Sequence, residues 1–169
     1  MNARPKGGSV NDRPTTEQVD AVLRASRALV GIAATSLAAV ADVVTVPQWR
    51  VLMLVYTRGP MNLASVAADL DVNPSNASRA CDRLTKAGLL DRRESEVDRR
   101  NITLTLTASG QGLVQQVTRQ RRVAIERVLG NMPASARGRL ADALARFAMA
   151  AGEATGDGPV VAALWPPTR

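Results

Sequence analysis

A chain of 169 residues, 46% of them hydrophobic, can bury one compact core, which argues against wholesale disorder. The net charge of +7 is typical of a protein that meets a polyanion, although surface arginines alone would also produce it. The chain has no histidine, which excludes Ser-His and Cys-His catalysis, histidine-ligated zinc and a histidine-based pH switch.

The first 14 residues are polar and basic and have no apolar period, so we predict a disordered basic arm over residues 1–14. They hold no apolar core of a signal peptide. The most apolar stretch, residues 28–41, is shorter than a bilayer requires and contains Thr35 and Ser36. A buried helix is the better interpretation, and we expect a cytoplasmic protein.

A long helix is predicted to begin at Thr15, which forms a capping-box pattern with Gln18, and to end at about Asp42. Its later half is apolar on nearly every side. Such a helix must be covered on several sides, and a partner subunit would do this better than a lone small domain. We therefore predict a dimerisation helix over residues 15–44.

Three shorter helices are predicted next. The first begins at Thr45 and stops at Gly59-Pro60, and the second spans about residues 63–70. After the turn Asp71-Val72, the third begins with the cap Asn73 and Pro74, continues to about Ala87 and is ended by Gly88.

The period then changes to two, because Ile102, Leu104 and Leu106 alternate with threonines as in a half-buried strand. Residues 89–93 can pair with this strand to form a β-hairpin. Two more helices are predicted at about residues 108–129 and 133–153. The fold class is therefore mainly α with a small β-hairpin wing: a winged helix-turn-helix over residues 45–107, C-terminal dimerisation helices over 108–153 and a flexible tail over 154–169.

The third short helix has a surface suited to a DNA groove. Its inward stripe is Ala77, Ala80, Cys81 and Leu84. Asparagine and arginine can reach base edges, while serine and the free N–H groups of the first turn can bind phosphate. An ordinary solvated helix face would have a similar composition. The candidate DNA-binding residues of this helix are Ser75, Asn76, Arg79 and Arg83, with Ser78 and Lys86 at the flanks.

Four arginines favour the DNA-binding interpretation over a charged, solvated loop. Arg92 and Arg93 lie on the first arm of the hairpin, and Arg99 and Arg100 lie at or just after its tip. Arginines on a narrow ribbon can enter a minor groove, where negative potential is concentrated. Acids lie among them, and we expect one acid to orient an arginine through a charge-assisted hydrogen bond. These acids are Glu94, Glu96 and Asp98.

Residues 45–110 resemble the MarR-type regulators of bacteria. The resemblance rests on the segment 45–49, on residues 75–89, and above all on Asp98-Arg99-Arg100 followed by Leu104, Leu106-Thr107 and Gly110. It implies an obligate triangular dimer with interwoven terminal helices. It also implies a recognition helix in the major groove, Arg100 inserted into the minor groove and held by Asp98, and an inverted-repeat operator near a promoter. The resemblance further implies a regulator of a kind that often represses transcription and that a small ligand releases from the DNA.

Two positions depart from the family pattern. Asp71 replaces a common glycine in the turn, but aspartate tolerates a left-handed backbone. Ala80 is smaller than the usual bulky apolar residue, which would loosen the packing behind the helix.

An effector site and a redox role are less well supported. Ligands of this family often lodge between the DNA-binding lobe and the dimer helices, where Trp49, Met53 and Tyr56 are candidates, yet their spacing equally describes a core stripe. We expect a weak, largely apolar pocket or none.

Cys81, the single cysteine, lies near arginines but on the inward stripe, so a buried structural cysteine is favoured over a thiol sensor.

The favoured function is a dimeric, sequence-specific transcriptional regulator, and the alternative is a non-specific architectural DNA-binding protein. An enzyme is not expected, because the sequence shows no paired-carboxylate pocket, phosphate-binding glycine loop or activated nucleophile. We expect no metal and no cofactor. The expected partners are double-stranded DNA, a second copy of the chain and a possible small-molecule effector, with no membrane.

Overall fold

The computed structural model describes residues 13–94 and 102–151. Within them it confirms a mainly α fold with a small antiparallel sheet. The elements in chain order are α1 (Thr16–Ala38), α2 (Val46–Arg58), β1 (Met61–Asn62), α3 (Leu63–Asp69), α4 (Pro74–Lys86), β2 (Leu90–Glu94), β3 (Ile102–Leu106), α5 (Ala108–Gly130) and α6 (Ala134–Ala150).

Side-chain caps fix the starts of the first two helices, as the sequence predicts. The Thr15 N–H donates to Gln18 Oε1 at 2.9 Å, and the Gln18 N–H donates to Thr15 Oγ1 at 3.2 Å. The Thr45 N–H donates to Gln48 Oε1 at 2.7 Å in the same way. These bonds satisfy backbone groups that would otherwise have no partner within the helix.

The end of α1 differs from the prediction, because the helix stops at Ala38 and not at Asp42. Tight turns follow, in which the Val40 N–H donates to the Leu37 carbonyl and the Val43 N–H donates to the Val40 carbonyl, both at 3.0 Å. The turns bring Val40 and Val44, each 2% exposed, into the core. Burial of these two valines is a tertiary effect that helical periodicity alone does not reveal.

The sheet has three strands and not the two of the predicted hairpin. Its order is β1-β3-β2, and both pairings are antiparallel. β1 adds only two residues, Met61 opposite Leu104 and Asn62 opposite Thr103. A strand this short has no alternating pattern by which it could be predicted.

The hydrophobic core lies in the lobe that α2, α3, α4, the sheet and the first half of α5 form together. Its members run from Val40 to Val117, and Leu52, Leu84 and Leu104 are among those with almost no exposed surface. The lobe is therefore a closed unit within one chain.

The long helices outside this lobe are covered much less. α1 packs along α5, but Ser36 is the sole fully buried residue of α1, and α6 has none. Their exposed large apolar side chains are Val19, Val22, Leu23, Leu29, Val30, Val123, Val128, Leu144, Phe147 and Met149.

By length and composition alone, α1 could cross a membrane, and almost none of its most apolar part is buried in the chain. The expectation that this region is too short for a bilayer rested on residues 28–41 alone and was wrong for the whole of α1. A helix that packs against protein passes the same test, so this feature is weak evidence for a membrane span.

Candidate nucleic-acid interface

Helix α4 has one buried side and one exposed side, as the sequence predicts. Ala77, Cys81 and Leu84 are at most 1% exposed, and Ala80 packs against the core while remaining half-buried. The candidate DNA-binding residues lie outside this stripe: Ser75, Asn76, Arg79, Arg83 and Lys86 are exposed, and Ser78 is half-buried. The packed stripe holds the helix, so the exposed side chains project from a fixed support.

The N-terminus of α4 corrects one expectation. The Asn73 side chain accepts from the Ser75 N–H at 2.8 Å, and the Asn73 carbonyl accepts from the N–H groups of Asn76 and Ala77 at 2.8 and 3.1 Å. Pro74 has no N–H. The N–H groups of the first turn are therefore already bonded and not free for phosphate. Any phosphate contact here must come mainly from side chains.

The turn before α4 holds α3 and α4 in place. Asp71 has a φ of 50°, the left-handed conformation that the sequence analysis expected aspartate to tolerate. The Arg50 guanidinium donates to the Leu70 carbonyl at 3.1 Å, and Arg58 pairs with Asp69 at 2.6 Å. Both arginines belong to α2, so α2 is tied to α3 at two points.

The first wing strand carries Arg92 on the face that meets α4. Successive strand residues point to opposite faces, so Arg92 shares a face with Leu90, which is 2% exposed. Its guanidinium forms an ion pair with Asp82 of α4. Sequence reasoning missed Asp82, because its partner lies ten residues away on a different element. The strand period could have indicated that Arg92 faces the helix.

Arg93 lies on the opposite face of β2, where its Nε donates to Asp91 Oδ2 at 2.9 Å. This hydrogen bond holds the pKa of the Asp91 carboxyl below its usual value. Arg92 and Arg93, predicted as equivalent DNA contacts, therefore lie on opposite faces of β2 and pair with different acids.

An acid does orient each of these two arginines, but the acids are Asp82 and Asp91. The predicted Glu96, Asp98, Arg99 and Arg100 lie outside the described residues, as does the side chain of Glu94.

The exit of α4 is joined to the start of α5. Gly88 has a φ of 69°, and its carbonyl accepts from Thr107 Oγ1 at 2.6 Å. A Cβ on Gly110 would lie 2.1 Å from the Leu89 carbonyl oxygen, so no larger residue fits without displacement of the backbone. This close approach packs the segment that follows α4 against the first turn of α5.

Cys81 is fully buried on the inward side of α4, which agrees with the prediction of a buried cysteine. Burial raises the pKa of the thiol to about 11, although Arg92 acts in the opposite direction. The thiol therefore stays protonated at neutral pH, unlike that of a redox sensor.

The predicted effector residues do not form one surface. Trp49 and Met53 are each 6% exposed and belong to the core, which supports the core-stripe interpretation for these two. Tyr56 alone is half-buried, and it lines a cleft of about 380 Å³ with Pro60, Thr105 and Gln111. In the described part of the chain, no group of three or more Cys, Asp or Glu side chains is placed to hold a metal ion.

The MarR family model matches residues 44–102, which include α2, α3, α4 and β2. A curated relative, the uncharacterised HTH-type transcriptional regulator YfiV of Bacillus subtilis (strain 168), is 29% identical over 85 residues, covering 50% of this chain and 53% of YfiV. The chain thus spans about half the length of the curated relatives it matches.

Solved structures match over a longer stretch. RV1404 from Mycobacterium tuberculosis is 41% identical with a TM-score of 0.76, and the match covers 83% of this chain and 97% of RV1404. FabT of Streptococcus pneumoniae, solved in complex with DNA, is similar in fold alone, with 14% identity, a TM-score of 0.64 and coverage of 82% of this chain and 99% of FabT. The chain belongs to the MarR family of winged-helix transcriptional regulators, a family of regulators and not of enzymes.

Proposed function

We propose that the protein is a dimeric, sequence-specific transcriptional regulator that represses by binding an inverted-repeat operator. The observation that carries this proposal is the two-sided character of α4. Its buried stripe fixes the helix, while Ser75, Asn76 and Arg79 form an exposed polar face near its N-terminal end. A helix of this kind can enter the major groove, where each base pair presents a distinct pattern of donors and acceptors.

The exposed residues divide by their chemistry. Asn76 suits adenine and Arg79 suits guanine, since both side chains can make bidentate contacts with base edges. Arg83 and Lys86 lie in the last turns of the helix, and we assign them to phosphate contacts. Ser75 and Ser78 complete the proposed surface, and Ser78 is the least accessible of the six. FabT, which shares the fold and was solved in complex with DNA, supports by analogy the proposal that this fold binds DNA.

The wing is proposed as a second contact. Arg92 and Arg93 lie on β2 beside α4, and the sequence between β2 and β3 contains Asp98, Arg99 and Arg100. By the family resemblance, Arg100 enters the minor groove and Asp98 holds it. An arginine there benefits from the concentrated negative potential.

A second copy of the chain is proposed to cover the terminal helices. Exposed apolar residues are concentrated on α1, α5 and α6, all outside the closed lobe. Exposed large apolar side chains concentrated in this way mark an interaction site. Two copies would present two α4 helices to the DNA, which matches a palindromic operator. This role places the protein in the cytoplasm and α1 against protein, not lipid.

A small-molecule effector is the proposed means of release. The cleft beside Tyr56 lies between α2, the sheet and α5, where a ligand could alter the angle between the lobe and the long helix. Trp49 and Met53, packed in the core, would act only through Tyr56 and its neighbours.

Selection of bound DNA from a random pool, at a stated near-physiological salt concentration, tests the proposal. We expect an inverted repeat whose half-sites lie about one helical turn apart and are preferred over random DNA by roughly 10³-fold or more. Arg79→Ala should change the recovered motif, whereas Arg139→Ala, an exposed arginine of α6, should not. Tight, salt-sensitive binding with no enriched motif would instead indicate an architectural DNA-binding protein.

A further inference from the structure

Asp82 lies at the boundary between the buried and the exposed side of α4. Ser78, Asp82 and Thr85 follow one another at intervals of four and three residues and are all half-buried, so they form the edge of the helix beside the wing. Ser78 Oγ donates to Asp82 Oδ2 at 3.5 Å, and Arg92 donates to Asp82 Oδ1. One carboxylate thus joins the recognition helix to the first wing strand.

The ion pair is only partly shielded from water. The side chain of Asp82 is 45% exposed and that of Arg92 is 32% exposed. A pair of this kind contributes little to folding stability. The Asp82–Arg92 ion pair is therefore not explained by folding stability. Its position beside the proposed DNA-binding face points to a role in DNA binding.

A carboxylate at this place opposes DNA binding in general. Non-specific affinity comes from cations that neutralise phosphates. Each such contact steepens the slope of log affinity against log salt concentration by about 0.9 units. Asp82 adds a negative charge beside Arg79 and Arg83 and also occupies Arg92. Among the described residues, no ion pair within 4 Å involves Arg79, Arg83 or Lys86. Arg92 differs from these cations, because its guanidinium is paired with a carboxylate of α4.

We propose that Asp82 is a specificity-determining, positioning residue of the DNA-binding site. It holds Arg92 against α4, so Arg92 can contact DNA in one orientation only, and its charge repels the phosphates of DNA that does not fit. Asp82 thereby raises the ratio of operator affinity to non-specific affinity. This inference rests on the proposed DNA-binding function and assigns the selectivity of that function to a residue which the family resemblance did not identify here.

Asp82→Asn removes the charge and keeps the size of the side chain. The variant and the wild type are compared on two duplexes of equal length, the inverted repeat recovered from the random pool and its scrambled sequence, over a range of salt concentrations. We expect affinity for the scrambled duplex to rise about 5-fold near physiological salt and its salt slope to steepen by about one unit, because Arg92 becomes free for phosphate. Operator affinity should stay the same or fall, so the specificity ratio drops at least 5-fold.

Two controls separate this role from a general effect of charge. Asp142→Asn, which removes an exposed acid of α6, should leave the ratio unchanged. In the background of Arg92→Ala, Asp82→Asn should raise affinity for the scrambled duplex by much less than 5-fold, because only the repulsion by its own charge is then left to remove. Thermal unfolding checks that each variant is folded.

The possible results are distinct. If wild type prefers the repeat but Asp82→Asn keeps the same ratio, or weakens both duplexes alike, the inference is wrong and the proposed function stands. If the gain on scrambled DNA persists without Arg92, Asp82 does not act by positioning that arginine. If wild type does not prefer any repeat, the proposed function and the inference fail together.

Discussion

Helices α4 and α6 are of similar length, 13 and 17 residues, but they differ in what the chain covers. α4 buries Ala77, Cys81 and Leu84 completely, whereas α6 buries none of its residues. Phe147 and Met149 of α6 are each 55% exposed. A single chain therefore buries the apolar side chains of its DNA-binding lobe but leaves those of its terminal helices exposed.

The difference has a physical consequence. Burial of a large apolar side chain contributes about 1.5–3 kcal/mol, and α4 already obtains this from its own chain. The apolar residues of α6 obtain it only from something outside the chain. We therefore propose that recognition is a property of the single lobe and that affinity depends on a second copy. The following predictions test this division, beginning with the largest expected effect.

Replacement of Leu144 and Phe147 together by aspartate should disrupt the proposed dimer. Both residues lie on one face of α6, three positions apart. A monomer engages one half-site only, so operator affinity should fall on the order of 10²–10⁴-fold. Fluorescence anisotropy with labelled operator measures the change, and Arg146→Ala on the same helix serves as a control. Unchanged affinity would remove α6 from the dimer contact.

Gly110→Ala should destabilise the lobe, because a Cβ at this position meets the Leu89 carbonyl oxygen at 2.1 Å. Overpacking of this kind costs about 1–3 kcal/mol. Gly112→Ala is a matched control two residues along α5, where a Cβ meets nothing within 4 Å, and it should stabilise the helix by up to about 1 kcal/mol. Urea unfolding measures both values. Equal effects of the two substitutions would contradict the close approach at Gly110.

Asn76→Ala should relax the sequence preference at one position in each half-site. Loss of a bidentate base contact reduces discrimination by about 1–3 kcal/mol at the contacted base pair and leaves other positions unchanged. Repetition of the random-pool selection with the variant measures this directly. A uniform loss of affinity for all sequences would mean that Asn76 contacts phosphate only.

Arg100→Ala tests the wing that the family resemblance implies. Loss of one groove or backbone charge should weaken operator binding and lower the salt slope by about one unit. Titrations at four or more salt concentrations measure the slope. The same slope and affinity as wild type would exclude Arg100 from the interface.

The smallest effect is expected at Cys81, where burial and a thiol pKa of about 11 should make the folded protein almost inert to alkylation. At pH 8 iodoacetamide should react at least about 100-fold more slowly than with the unfolded chain, and operator affinity should not change. Mass spectrometry over time measures the reaction. Rapid modification of the folded protein, with loss of DNA binding, would restore the thiol-sensor hypothesis.

Local signals in the sequence predicted most of the lobe. The caps at Thr15, Thr45 and Asn73 and the glycine at position 88 lie within a turn of the helix ends they determine, so the element order and most boundaries could be read from neighbouring residues. The inward stripe of α4 followed from helical spacing in the same way.

Long-range effects could not be predicted in this manner. β1 exists only because Met61 and Asn62 meet β3, some forty residues later. The pairing of Asp82 with Arg92 depends on how β2 packs against α4. These features of the candidate site required the structure.

The molar mass of the full chain in solution, measured by light scattering at micromolar concentration, tests the central claim most directly. One chain has a mass of 17.9 kDa. We expect a mass of twice that value, which falls to the single-chain value when Leu144 and Phe147 are replaced by aspartate. A single-chain mass for the wild type, free and bound to operator, would contradict the account, because the exposed faces of α1, α5 and α6 would then not meet a second copy.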